Sequence, residues 1–189
     1  MKTMKIMILV LSIIASGTVS GQSVKVDTEK SSLKWTGKKV GGEHFGNILL
    51  KEGSIVITKD NITSGSFVID MNTLTNTDLT DAGYNAKLVG HLKSDDFFGV
   101  KDYPTASLKI KEATAFVNNK ALVKAHLTIK GKTNPVEFNV TNNKGIYSAT
   151  ITVDRSKYNV KYGSSSFFDN LGDKVIYDEF TMEVTLVTK

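Results

Sequence analysis

From residue 24 onward the chain alternates apolar and polar positions in one stretch after another. Ser31–Val40 sets Leu33 and Trp35 on one face, with Lys34 and Thr36 on the other. Ile48–Lys59 and Ile62–Met71 follow, the second placing Phe67, Ile69 and Met71 opposite Ser66, Val68 and Asp70. Thr105–Phe116 puts Ala106, Leu108 and Ile110 against Ser107, Lys109 and Lys111. The cleanest run is Ala121–Lys130, where Ala121, Val123, Ala125, Leu127 and Ile129 oppose Leu122, Lys124, His126, Thr128 and Lys130. Val136, Phe138 and Val140 continue the pattern, as do Tyr147, Ala149, Ile151 and Val153. A last segment sets Phe180, Met182, Val184 and Leu186 against Thr181, Glu183, Thr185 and Val187. A period of two with one apolar face predicts antiparallel sheet, dry on one side and wet on the other.

The connections are short and use turn chemistry: Asn118-Asn119, Gly131–Asn134 and Asn142–Gly145 supply residues that tolerate positive φ. About eight such strands in sequence predict an all-β, antiparallel up-and-down barrel. A β-sandwich is the other fold this pattern can build. A barrel of this size holds either packed side chains or one small ligand. The inward set mixes small residues (Ala106, Ala121, Ala125, Ala149) with large ones (Trp35, Phe67, Phe180), which leaves room for a cavity.

One segment breaks the period. Thr77–Gly99 reads as an inserted helix, with Thr77 or Asp78 as N-cap and Tyr84, Leu88 and Leu92 along one face. Ser94 is placed to cap a second short turn that starts with Asp95 and Asp96, and Pro104 ends the excursion. Such an insertion either forms a lid over one mouth of the barrel or plugs that end.

The N-terminus changes the picture of where the protein works. Met1–Gly21 has Lys2 and Lys5, the apolar run IMILVLSIIA and a tail of small residues, which reads as a secretory signal peptide. The apolar run is too short to span a bilayer, which takes about 20 residues. The expectation is therefore one exported domain over residues 22–189, periplasmic or secreted, with no transmembrane anchor once the leader is cleaved. With no cysteine there is no disulfide framework. Without the leader, 22 Lys and Arg stand against 19 Asp and Glu, and these charges are scattered. A nucleic-acid partner is not expected, because no basic stripe with interleaved aromatics is present.

Candidate chemistry is sparse. His44, His91 and His126 lie far apart without metal-ligand spacing, so neither a metal nor a cofactor is expected. There is no G-x-S-x-G elbow, the glycines of Lys38–Gly42 lack phosphate-loop spacing, and Asp169, Asp173, Asp178 and Glu179 do not fit a calcium loop. The chain reads as a binding protein rather than an enzyme. Two alternatives stay open: a hydrolase using His44 or His91 with a nearby acid, and a ligand-free structural or stress-response module. Arg155 is the chain's sole arginine. Its fork suits a phosphate or carboxylate, and a structural bridge to Asp154, Asp178 or Glu179 would occupy it equally well.

Four segments carry a resemblance to a known family. GHLKSDDFFGVKDYP (90–104), LTIKGKTNPV (127–136), DRSKYNVKYGS (154–164) and FFDNLGDKVIYDEF (167–180) occur in order, and together they resemble the YceI-like polyisoprenoid-binding family over roughly residues 23–188. The resemblance implies a lipocalin-like barrel with one inserted helical segment, a periplasmic or secreted location, and a cavity for a long amphipathic lipid, an isoprenoid or fatty chain. Carried onto this sequence, it falls on His91, Leu92, Phe97, Phe98, Arg155, Tyr158 and Tyr162. Together with the apolar faces above, this gives an expected lining of Trp35, Phe67, Ile69, Leu88, Leu92, Phe98, Phe180 and Met182, with His91 and Arg155 at the lipid headgroup. The Ser164–Lys174 loop, with Phe167-Phe168, is longer than in many members and is expected to reshape the cavity mouth.

Overall fold

A computed structural model describes residues 21–189; the expected leader, Gly21 apart, lies outside the described residues. Eight antiparallel strands run in chain order: β1 (Gln22–Lys39), β2 (Gly42–Thr58), β3 (Asn61–Asp70), β4 (Thr105–Ala113), β5 (Lys120–Ile129), β6 (Lys132–Asn143), β7 (Ile146–Asp154) and β8 (Ile176–Thr188). Each pairs with the next, and β8 returns to pair with β1, so the sheet closes into a barrel. One continuous closed sheet excludes the sandwich; its shortest seam is β6–β7, where only Val140–Asn143 pair with Ile146–Ala149 and the rest of the two strands splay apart.

The alternation read from the sequence becomes the inside and outside of this wall. In β5, Ala121, Val123, Ala125, Leu127 and Ile129 are buried, while Lys124 and His126 are exposed. Strand β1 begins well before the expected Ser31. Val26 and Leu33 are both buried although they lie an odd number of positions apart, so the alternation has to slip once. It slips at a bulge between Asp27 and Ser32, where Asp27 accepts hydrogen bonds from the N–H groups of Glu29 and Lys30 and from the Ser31 hydroxyl. The turns fall near the expected residues, with Asn118, Asn119, Gly131 and Gly145 at positive φ. The β5–β6 turn is tighter than expected: it is Lys130-Gly131, and β6 already starts at Lys132.

The insertion between β3 and β4 holds the single α-helix of the described residues, α1 (Ala82–Lys93). Its N-cap is Asp81, whose carboxylate accepts from the Tyr84 N–H at 2.9 Å. The expected caps Thr77 and Asp78 lie upstream and do other work. Tyr84 is 67% exposed, so of the expected stripe only Leu88 and Leu92 face inward, with Val89 packed beside them. Ser94 does not cap a following turn; its hydroxyl donates back to the His91 carbonyl at 2.7 Å and closes α1. Asp81→Ala is expected to cost about 1 kcal/mol, the usual worth of an N-cap, read from urea unfolding and from faster amide exchange confined to α1.

The segment leading into α1 is laid against β2 almost as a further strand. The Thr75 and Thr77 N–H groups donate to the carbonyls of Asn47 and Phe45, each at 2.9 Å. This approach needs Gly46: a Cβ there would lie 1.9 Å from the Thr75 carbonyl oxygen. The Trp35 indole N–H donates to the same Thr75 carbonyl at 2.9 Å. Buried Asn76 completes the anchor, donating to the Phe45 carbonyl and accepting from the Leu79 N–H, while Asn85 of α1 donates to the carbonyls of Asn76 and Leu79. These bonds fix α1 over one end of the barrel. At the other end Phe116 packs against Tyr147 with ring centroids 6.4 Å apart, and its N–H donates to the Asn61 side chain.

Candidate functional site

The barrel is hollow. A cavity of about 240 Å³ runs along its interior, many times the roughly 10–15 Å³ that a single water needs. Ala106 and Ala149 stand on its wall, while Ala121 and Ala125 are buried in the packed part of the strands. All eight residues expected to line it do so: Trp35, Phe67, Ile69, Leu88, Leu92, Phe98, Phe180 and Met182. On β8, Phe180, Met182, Val184 and Leu186 point inward yet stay only half-buried, because they face the hollow. The lining is apolar except near one end. No serine, threonine or cysteine belongs to it among the described residues.

The exposed members of the lining, Lys38, Lys39 and Tyr177, mark where the cavity reaches the surface. This rim is built by the β1–β2 hairpin and the start of β8. Leu88 and Leu92 of α1, followed by Phe97 and Phe98, roof the same end, so the insertion covers the mouth and leaves it open beside the hairpin. The Gly163 carbonyl accepts from the Ile176 N–H at 2.8 Å, which sets the Ser164–Lys174 loop beside the rim. Phe167 and Phe168 of that loop are exposed.

His44 also lines the cavity, and it is held in place. Its Nδ1 lies 2.7 Å from the Asp78 carboxylate. Asp78 also accepts from the Phe45 N–H at 2.8 Å and from the Asn76 amide. An ionised carboxylate only accepts, so Nδ1 carries the proton and Nε2 is the ring nitrogen left for other partners. Burial pushes the Asp78 pKa up, but the bonds from His44, Phe45 and Asn76 outweigh it and hold the carboxyl below the usual aspartate value. A pKa lowered by folding gives stability that is complete above the unfolded value of about 3.9 and is lost as the pH falls through the folded value. Asp78→Asn is therefore expected to flatten the acid side of the stability curve below about pH 4, measured by urea melts across pH. This pair was not legible in the sequence: 34 residues separate the partners.

The two residues expected at a headgroup are placed differently from each other. Arg155 lies on the cavity wall but is only 4% exposed. Its Nε donates to the Tyr177 carbonyl, one terminal nitrogen to the carbonyls of Val160 and Tyr162, and the other to that of Ile176, at 2.8–3.2 Å. Asp178 stands 3.4 Å from the last nitrogen as an ion pair. Burial lowers the Arg155 pKa, and Asp178 and Asp154 oppose that shift. The arginine thus ties the β7–β8 connection to the start of β8. His91 is not part of the cavity wall. Its ring meets Phe97 and Tyr162 edge-on, at centroid distances of 5.0 and 4.4 Å, and Asp96 lies 3.9 Å away. Of the other residues the resemblance singled out, Tyr158 is buried with its hydroxyl unpartnered, and burial raises its pKa to about 12.

A closed eight-stranded antiparallel barrel around an apolar cavity, with one helix roofing its mouth, defines a small lipocalin-like barrel protein. The YceI-like domain matches residues 24–188, and the chain belongs to that family. No curated protein matches it in sequence. Among solved structures it is similar to BcnA of Burkholderia cenocepacia, at 26% identity and a TM-score of 0.64, over 85% of this chain and 98% of that one. It shares its fold with a polyisoprenoid binding domain from Saccharophagus degradans implicated in plant cell wall breakdown, at 17% identity and TM-score 0.56, over 86% and 95% of the two chains. The YceI protein of Campylobacter jejuni matches at 20% identity and TM-score 0.53, over 74% and 82%.

Proposed function

We propose that this protein is an exported lipid-binding protein that holds one long-chain amphipathic lipid, an isoprenoid or fatty chain, in the barrel interior. The observation that carries this reading is the cavity itself, enclosed by strands, lined by aliphatic and aromatic side chains and open at one rim. Burying each CH2 is worth about 0.8 kcal/mol, so a chain of ten or more such groups binds without many polar contacts. Family membership and the likeness to a polyisoprenoid binding domain support an isoprenoid as the natural chain. The leader-like N-terminus supports export.

The headgroup lies at the open rim in this reading. Arg155 serves it indirectly, by holding the β8 side of the rim in shape, and His91 by bracing the roof against Tyr162. Trp35, the single tryptophan, lies on the cavity wall and reports occupancy directly. Titration with geranylgeraniol is expected to shift and quench its fluorescence to saturation at one lipid per chain. A flat titration would defeat the proposal.

A further inference from the structure

The inward rows of β1 and β2 change character at the rim. Leu33 and Trp35 of β1 point into the barrel, and the next two inward positions are Gly37 and Lys39. On β2 the inward Leu50, Ile48 and Gly46 are followed by His44. The register pairs Gly37 with His44 on one side and with Phe180 of β8 on the other, while Lys39 pairs with Ile176. A Cβ on Gly37 would meet nothing within 4 Å, so open space lies over this glycine. His44 lies across from this glycine and Lys39 two residues beyond it, and both belong to the cavity lining, as does Lys38.

The neighbouring charges sharpen the point. Glu43 alternates to the outside, where it pairs with Lys38 at 4.0 Å. Asp78 is committed to His44, Phe45 and Asn76, and Asp178 to Arg155 and Ser166. Lys39 forms no ion pair among the described residues, and His44 Nε2 makes no hydrogen bond there. His44 and Lys39 thus stand beside a niche whose neighbouring acids are all engaged elsewhere. An acceptor-only group on the end of an apolar chain matches such a niche: it takes a hydrogen bond from the Lys39 ammonium, and one from Nε2 of the imidazolium form of His44, whose other proton faces Asp78, while the chain lies along the wall.

We infer that Gly37, Lys39 and His44 form the headgroup subsite of the cavity, and that it selects chains ending in an oxyanion, a phosphate or a carboxylate, over the same chains ending in a neutral hydroxyl. Asp78 is a positioning residue for His44. The inference rests on the lipid-binding reading above and adds the headgroup's chemical class.

The test compares farnesyl monophosphate, a sixteen-carbon fatty acid and farnesol by Trp35 fluorescence at pH 7. Wild type is expected to bind at least one oxyanion-tipped chain tenfold or more tighter than farnesol, and the phosphate and carboxylate arms show which source is preferred. Lys39→Gln and His44→Asn are expected to bring that ratio near one; the asparagine amide still donates to Asp78. Gly37→Val fills the niche without a clash and is expected to do the same. Equal wild-type affinity for the three ligands, or a ratio that survives all three substitutions, overturns the subsite and leaves the lipid cavity standing. If none of the three ligands binds, the cavity proposal falls and the subsite with it.

Discussion

Ala149→Trp is expected to weaken binding of a long-chain lipid by about a thousandfold while leaving the barrel folded. Ala149 sits on β7 between Val140 and Val184, with its side chain on the cavity wall. An indole there points into open volume, so the overpacking penalty of about 1–3 kcal/mol that extra bulk brings in a filled core is largely absent. The same indole takes space from the lipid. If it displaces about five methylenes, the loss is about 4 kcal/mol, which is about three powers of ten in affinity. Isothermal titration calorimetry with geranylgeraniol reads the affinity, and thermal melting confirms the fold. Unchanged affinity in a folded variant would mean that the chain binds elsewhere.

Arg155→Met is expected to destabilise the protein by about 3–5 kcal/mol, the cost of breaking a buried charge network from one side. Four backbone carbonyls and Asp178 lose their partner together. Methionine fills the stem's volume, which isolates the polar loss from a cavity effect. Arg155→Lys is expected to recover little, since a single ammonium cannot reach carbonyls spread around a planar fork. Urea unfolding measures both. A loss under about 1 kcal/mol would show that the fork is not a clamp, which would return it to consideration as a headgroup contact.

The sequence made the wall of the barrel readable because its physics is local. In β5 and β8 each residue's face follows from parity alone, and the five lining residues that parity names, Trp35, Phe67, Ile69, Phe180 and Met182, stand on the cavity. What parity could not give was closure. Pairing β8 with β1 joins Leu33 to Val184 and Trp35 to Met182, contacts that depend on the whole sheet's curl. The start of β1 is hidden in the sequence because the bulge after Asp27 resets the alternation. In the sequence Asp78 suits a helix cap, since an aspartate ahead of a helical stripe fits that role. Asp81 fills it instead, since Gly46 lets the segment before α1 come close enough for Asp78 to reach His44. Tyr84 has helical spacing with Leu88 and Leu92, but it extends past the barrel mouth into solvent.

The rim shows the same division. Lys39 looks like an ordinary hairpin lysine in the sequence, and only the register beside Gly37 and His44 reveals that it lies on the inward row. Arg155 was legible as unusual by its uniqueness, but the carbonyls that surround it come from 155–177, a stretch with little regular structure to predict from.

Native mass spectrometry probes the hollow's role most directly. After incubation with geranylgeraniol and release from mild detergent, the wild-type protein is expected to retain one lipid mass per chain, and Ala149→Trp none. Bare wild-type protein under those conditions, or equal retention by both proteins, would contradict the claim that the chain lies inside the barrel.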